Sequence, residues 1–407
     1  MLEAEVAVVG GGPAGAAAAI TLARSGCDVV VVDRARFPRD KCCGDGLTVA
    51  ALRELEALGL RPESVPDWQP VEDVWVRGPG SRPAVRFPLP RGMGLFAAVA
   101  PRSQLDAALL DVARASGAKV HDGHAMRGAE VSANGDAVDL DVDGVGAVRA
   151  RFAIGADGAW SPLRHAFGAH QPGYLGDWHA FRQYFSGVSG AAAGLWVWFE
   201  PDLLPGYAWS FPLPGGRANV GFGIQRDGKV PVGDMKTIWP DLLSRSKLRE
   251  VLGASAVPEG RHLAWPIPAR VGKLPLTAGG GRALFVGDAA AATDPMTGEG
   301  IAQALLTGRR AAEAVLAAGP DNPRSVAARY QADVERELVA DHKMSALLSR
   351  ALGHRKGVRI PLRLAGATGW SRRQFGRWLF EDYPRALVLT PGRWRRGALS
   401  QPGAYRS

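Results

Sequence analysis

Short runs of consecutive apolar residues, rather than alternation, mark the first 35 positions. Glu5-Val6-Ala7-Val8-Val9 and Asp28-Val29-Val30-Val31-Val32 read as buried strands of a parallel sheet, where both faces are covered and no polar side is displayed. Between them, Ala14 to Arg24 is Ala-rich and favours helix. Helical spacing returns over Val49–Leu58 and again from Arg102 to about Ser116, with apolar residues at Leu105, Leu109, Val112 and Ala113. Residues 120–154 alternate as short strands around a tip at Asn134-Gly135, and 178–270 read as strand-like. Arg282–Val286 is a further buried strand, and Pro295–Ile301 opens a long helix to about Ala317. Arg34–Leu47 reads as loop. Pro62–Gly94, rich in Pro and Gly, reads as an excursion holding the short strand Val74–Val76.

Three glycine-bearing segments punctuate this pattern: Gly10-Gly11-Gly12-Pro13-Ala14-Gly15, Gly155-Ala156-Asp157-Gly158 and Gly287-Asp288-Ala289. The first lies between strand and helix. There Gly10 allows the tight bend, Gly12 lets backbone approach a pyrophosphate, and Gly15 lets helix and strand close-pack, with the phosphates facing a helix N-terminus. Asp33 ends the second strand 18 residues beyond Gly15, close to the spacing at which a carboxylate accepts ribose hydroxyls. In this order the three segments predict an FAD site. Asp288, at a strand end, is expected to accept from ribityl hydroxyls. The helix beginning at Gly298-Glu299-Gly300-Ile301 is expected to turn free N–H groups toward the negative charge of reduced flavin.

The predicted fold is α/β, a Rossmann-type FAD-binding domain with an inserted, mainly antiparallel substrate sheet and a helical C-terminal region. The FAD-binding parts are placed at 1–75, 96–175 and 276–330, and an excursion toward the substrate domain at 76–95. The substrate domain takes 176–275, where six of the twelve tryptophans fall, and the C-terminal region 331–407.

With 46% hydrophobic and 22% charged residues, the 407-residue chain is expected to be globular and cytoplasmic, with no window of about 18 apolar residues. Cys27, Cys42 and Cys43 form neither a disulfide framework nor a metal-ligand spacing, so no metal is expected. The net charge of +9 is concentrated: the chain from Lys343 sums to +12 and the rest to −3. Trp370, Phe375, Trp378, Phe380, Tyr383 and Trp394 are interleaved there with Arg372, Arg373, Arg377, Arg385, Arg393, Arg395 and Arg396. This mixture suits a surface resting peripherally on an anionic membrane, on its inner face. No nucleic-acid module is recognisable. A solvated helical cap with ordinary core aromatics is the competing reading.

The ordered signatures resemble the flavin monooxygenase superfamily, which includes hydroxylases, halogenases and geranylgeranyl reductases. Lys41-Cys42-Cys43-Gly44-Asp45-Gly46-Leu47, Tyr207-Ala208-Trp209-Ser210-Phe211-Pro212 and the run from Gly287 to Ile301 are similar to motifs of the geranylgeranyl reductases, actinobacterial branch. Ala291 departs from their usual Gly. The resemblance implies reduction of polyprenyl C=C bonds by hydride from flavin N5 plus a proton. It implies that Gly10, Gly12, Pro13, Ala14, Gly15, Asp33, Arg34, Cys43, Gly44, Arg102, Asp157, Gly287, Asp288, Gly298, Gly300 and Ile301 hold FAD. Tyr207, Trp209 and Phe211 would line a channel for a lipophilic prenyl substrate, with Cys43, Tyr207 and Trp209 as catalytic candidates. For Cys43, a small residue chosen for close flavin packing is an equal reading. Hydroxylation, halogenation and flavin electron transfer are the alternatives. The Tyr-x-Trp-x-Phe-Pro pattern stands against halogenation, and the aromatic-rich middle segment against electron transfer. No second dinucleotide fingerprint appears, so NAD(P)H visits transiently or another donor supplies the electrons.

Overall fold

The computed structural model describes residues 1–80, 83–387 and 400–406. The chain opens with β1 (Leu2–Val9), α1 (Pro13–Arg24) and β2 (Val29–Asp33), followed by β3 (Gly46–Thr48), α2 (Val49–Ala57), β4 (Gln69–Pro70), β5 (Asp73–Arg77), β6 (Val85–Pro88) and β7 (Ala97–Val99). Then come α3 (Arg102–Ala115), β8 (Lys119–Asp122), β9 (Met126–Val131), β10 (Val138–Val142), β11 (Gly146–Gly155) and α4 (Pro162–Ala166). The middle comprises β12 (Trp178–Ser186), β13 (Leu195–Trp198), β14 (Tyr207–Leu213), β15 (Arg217–Gln225), α5 (Met235–Ser244), α6 (Ser246–Leu252) and β16 (Val257–Ile267). It ends with β17 (Thr277–Ala278), β18 (Ala283–Phe285), α7 (Ile301–Ala318), α8 (Pro323–Val334), α9 (Ala340–Leu352), α10 (Arg355–Ala365) and α11 (Gly369–Leu379).

The apolar runs form the centre of the first sheet, ordered β17-β18-β11-β1-β2-β8, in which β18, β11, β1, β2 and β8 run parallel and the β9–β10 hairpin hangs from β11. Val6 to Val8 and Val29 to Val31 are fully buried, as strands covered on both faces must be. This brings Gly10, Gly155 and Gly287 to neighbouring strand ends, although 277 residues separate the first from the last. Ligands of open α/β sheets bind at such carboxyl ends.

The second sheet, ordered β16-β12-β15-β14-β13-β5-β6, is antiparallel apart from the β13–β5 pair. The division drawn at residue 75 therefore falls inside β5, and the one at 330 inside α8. Residues 178–270 are not strand throughout. Met235, Trp239 and Leu242, at helical spacing, bury one side of α5 against Phe181 and Phe222, and Leu248, Val251 and Leu252 extend that packing through α6. Trp239 stacks on Phe222 at 6.0 Å, so it belongs to the sheet's outer core rather than a strand. The loop 34–47 also ends in strand, since Gly46–Thr48 pair with Ala97–Val99.

The C-terminal helices divide their basic and aromatic residues between the interior and the surface. Arg377 is buried and ion-paired with Asp382, which also takes Arg53 at 2.6 Å. Arg385 is buried too, donating to the Trp378 and Leu379 carbonyls at 2.8 and 3.1 Å. Phe380 is buried while Trp370 is exposed. Arg393, Trp394, Arg395 and Arg396 lie outside the described residues.

Candidate active site

β1 delivers Gly10 with φ +105°, where an added Cβ would stand 2.3 Å from the Ala156 carbonyl oxygen. At Gly15 the same atom would stand 1.8 Å from the Gly10 oxygen. The turn is therefore closed to side chains on two sides. Gly12, the residue before α1, faces open space in which the nearest atoms to an added Cβ are the guanidinium ends of Arg39 at 3.5 Å and Arg102 at 4.0 Å. Exposed backbone at a helix N-terminus beside two cations fits a diphosphate.

The cations are held in place by Asp106, buried between Arg102 (2.7 Å) and Arg39 (2.9 Å). Burial would raise its carboxyl, but the Arg102 guanidinium wins and holds it below the ordinary range. Asp33 accepts from Gly11 N at 2.7 Å and Ala35 N at 2.8 Å, which ties the end of β2 to the glycine turn. Asp157 turns inward, accepting from Ser161 Oγ at 2.6 Å and Leu163 N at 2.8 Å; burial raises it to about 6. Asp288 pairs with Lys41 at 2.9 Å, and that charge outweighs burial to keep it ionised.

One cavity of about 850 Å³ joins these groups. Each residue expected to hold FAD or substrate lines it except Gly15, whose part is to close the turn from behind. Tyr207, Trp209 and Phe211 alternate along β14 and so share a face, with ring centroids 6.0 Å apart at each step. Phe211 lies over the loop glycines, 3.0–3.1 Å from where side chains at Gly44 and Gly46 would begin. Trp209 donates to Asn219 Oδ1 at 3.2 Å, and Asn219 in turn donates to the Cys43 carbonyl at 2.8 Å. The Tyr207 hydroxyl donates to the Thr297 carbonyl. Beyond these rings the cavity continues between α9, α10 and α11, past Leu352, Val358 and Leu362.

A family model for an FAD binding domain matches residues 3–306. A menaquinone reductase of Mycolicibacterium smegmatis is 36% identical over 340 residues, spanning 78% of this chain and 77% of the relative. Digeranylgeranylglycerophospholipid reductase 1 of Methanopyrus kandleri is 33% identical over 358 residues, spanning 83% of this chain and 87% of its own. The chain belongs to the geranylgeranyl reductase family. Among solved structures, a geranylgeranyl bacteriochlorophyll reductase-like protein of Thermoplasma acidophilum shares the fold at TM-score 0.81 and 20% identity, covering 97% of this chain and 100% of that one. A halogenase solved with FAD shares it at TM-score 0.70 and 17% identity, covering 94% and 87%. This member of the family is an FAD-dependent oxidoreductase.

Three features of this reductase-family site were not assigned from the sequence. Asp45, with φ +64°, accepts from Tyr184 (2.6 Å) and Asn219 (2.8 Å) and from the Arg102 N–H (3.3 Å), stitching the cysteine loop to the second sheet and to the start of α3. Arg39 and Lys41, in the same loop, supply the cations described above. Glu299 lies on the cavity wall and its Oε1 accepts from Ile301 N at 2.9 Å and Ala302 N at 3.0 Å. The helix N–H groups expected to be free are thus already capped. Burial and the neighbouring Glu381 push the Glu299 carboxyl up to about 8. No helix among the described residues is long and apolar enough to cross a membrane.

Proposed function

We propose that the protein reduces carbon–carbon double bonds of a polyprenyl chain borne by a lipophilic quinone or lipid, using FAD that an NAD(P)H or other donor reduces. The supporting observation is the continuity of the cavity, which runs from the glycine turn past the aromatic face of β14 to an apolar end between α10 and α11. A small polar substrate would leave that end empty, whereas a prenyl chain fills it.

Bound FAD supplies the hydride. An isolated trisubstituted alkene is not polarised, so the protein must give a proton to one carbon while the other gains cationic character. Cys43 and Tyr207 are poor sources: burial raises both above their ordinary values, and the Tyr207 proton is already committed to the Thr297 carbonyl. Glu299 is the better one. Burial and the neighbouring Glu381 raise its carboxyl, which favours the protonated form, and the residue lies on the cavity wall. Tyr207 and Trp209 then stabilise the cationic carbon through their ring faces, at about 0.5–2 kcal/mol each. The enzyme takes its substrate at an anionic membrane surface, where such chains reside.

Anaerobic incubation of the dithionite-reduced protein with polyprenyl quinones and lipids, followed by mass spectrometry, tests this reading. Gains of two hydrogens per reduced bond are expected. No such gain with any chain, together with oxygen insertion in air, would overturn it.

A further inference from the structure

Between Asp341 and Glu381 the chain has no carboxylate side chain and nine Lys or Arg. Lys343, Arg350, Arg355, Lys356, Arg359 and Arg363 are exposed, and none pairs with a carboxylate among the described residues. Within the same stretch of chain stand four of the nine large apolar side chains left exposed among the described residues: Leu347 (60%), Ile360 (57%), Leu364 (66%) and Trp370 (64%). Apolar residues scattered singly over a surface need no explanation, but this cluster lies in one short segment.

α10 shows how the cluster is built. Val358 and Leu362, one helical turn apart, are buried and form cavity wall. Ile360 and Leu364, also one turn apart, point outward beside Arg359 and Arg363. The helix therefore has two apolar faces: one closes the cavity, and the other meets the surroundings between cations. An aqueous cap would carry polar residues on that second face. Exposed apolar side chains flanked by unpaired cations instead match the acyl boundary and headgroups of an anionic bilayer.

We propose that α9, α10 and the start of α11 seat the protein on an anionic membrane. Leu347, Ile360, Leu364 and Trp370 enter the acyl boundary while the basic flanks hold headgroups, and the prenyl chain passes into the cavity through the wall these helices make. The inference rests on the prenyl-chain reading above, and it assigns a surface and an entrance to it.

The test is co-sedimentation of the full-length, FAD-loaded protein with phosphatidylcholine vesicles, with and without about a third phosphatidylglycerol. Binding to the anionic vesicles is expected to be at least about tenfold tighter and to weaken with salt. Ile360→Ser with Leu364→Ser should lower it about tenfold. Arg359→Gln with Arg363→Gln should lower it roughly tenfold to thirtyfold. All four side chains are exposed, so FAD content, melting temperature and turnover of a short, detergent-dispersed prenyl alcohol should stay at wild-type values. Equal binding to both vesicles, or binding insensitive to both pairs, would overturn the proposal, as would a preference for duplex DNA over anionic vesicles. Vesicle binding as described without hydrogen gain in any prenyl chain would leave the surface standing and remove the reductase reading. Hydrogen gain without vesicle binding would remove the surface alone.

Discussion

The two ends of the cavity are built on opposite terms. At the glycine turn the walls are backbone: Gly10 and Gly15 are closed by carbonyl oxygens, and the charged groups are fixed by ion pairs of 2.7–2.9 Å. At the far end the walls are side chains, Leu352, Val358, Leu362 and their neighbours, with few polar atoms to set direction. Backbone cannot yield without moving a strand or helix, whereas side chains can change rotamer. The difference predicts a cofactor end that fails abruptly when altered and a substrate end that changes preference.

The sharpest way to break this contrast is one methyl group set against backbone and one set against a side chain. Gly15→Ala places a carbon 1.8 Å from the Gly10 oxygen, so α1 must leave β1 and the turn must open. Loss of essentially all bound FAD is expected, with overpacking costing about 3 kcal/mol or more. Gly46→Ala meets only the Phe211 ring edge at 3.0 Å, and FAD should be retained. Flavin absorbance per protein after reconstitution reads both variants. Equal FAD loss would end the distinction.

Glu299 lies where the two ends meet, and its replacement should act on chemistry rather than on cofactor. Glu299→Gln keeps an oxygen for Ile301 N and Ala302 N but has no acidic proton to give. Single-turnover alkene reduction should fall about 100-fold, with FAD content unchanged. Because the carboxyl is raised, it is neutral below its value and charged above it. Wild-type rate should therefore decline as pH rises through about 8, and the variant should lack that decline. Retention of rate and pH limb in Glu299→Gln would return the proton to Cys43 or Tyr207.

A smaller effect is expected from Asp288→Ala. It removes the partner of Lys41 and an acceptor facing the cavity, weakening FAD retention by about 1–3 kcal/mol. Cys43→Ala should alter it less, since the Cys43 sulfur has no ion pair to lose and takes a long hydrogen bond of 3.3 Å from Asp45 N. The two dissociation constants, measured by flavin titration of apoprotein, compare them directly. A larger loss for Cys43→Ala would mean the thiol itself packs on the flavin.

The same contrast explains what could be read from residues alone. The glycine turn and the convergence of Asp33, Gly155 and Gly287 at neighbouring strand ends were legible because buried parallel strands leave consecutive apolar runs and a closed strand-to-helix turn needs glycine at particular positions. α5 and α6 were hidden by the aromatic content around them, although Met235, Trp239 and Leu242 carry helical spacing. The elevated carboxyl of Glu299 depends on Glu381, 82 residues away, and no local pattern announces such a neighbour. Counting charges after Lys343 could not tell Arg377, taken by Asp382, from Arg359, which stays exposed. The apolar end was least legible, since it is assembled from helices whose spacing says that they bury a face but not around what.

The smallest predicted effect probes that end. Val358 is buried on α10 and lines the cavity well beyond the β14 rings, so Val358→Phe adds volume where only the distal part of a long chain would reach. Room is available in the cavity, and the cost to folding should stay within the roughly 1–3 kcal/mol of an overpacked site. FAD content and turnover of a short prenyl alcohol should match wild type. For a chain long enough to reach α10, kcat/KM should fall about tenfold, the scale of one to two misplaced methylenes in an apolar pocket. Competition between short and long substrates in one reaction, resolved by mass spectrometry, measures the ratio without needing absolute rates. If the ratio does not move, the distal space is not where the chain lies, and the long substrate must leave the cavity before it meets Val358.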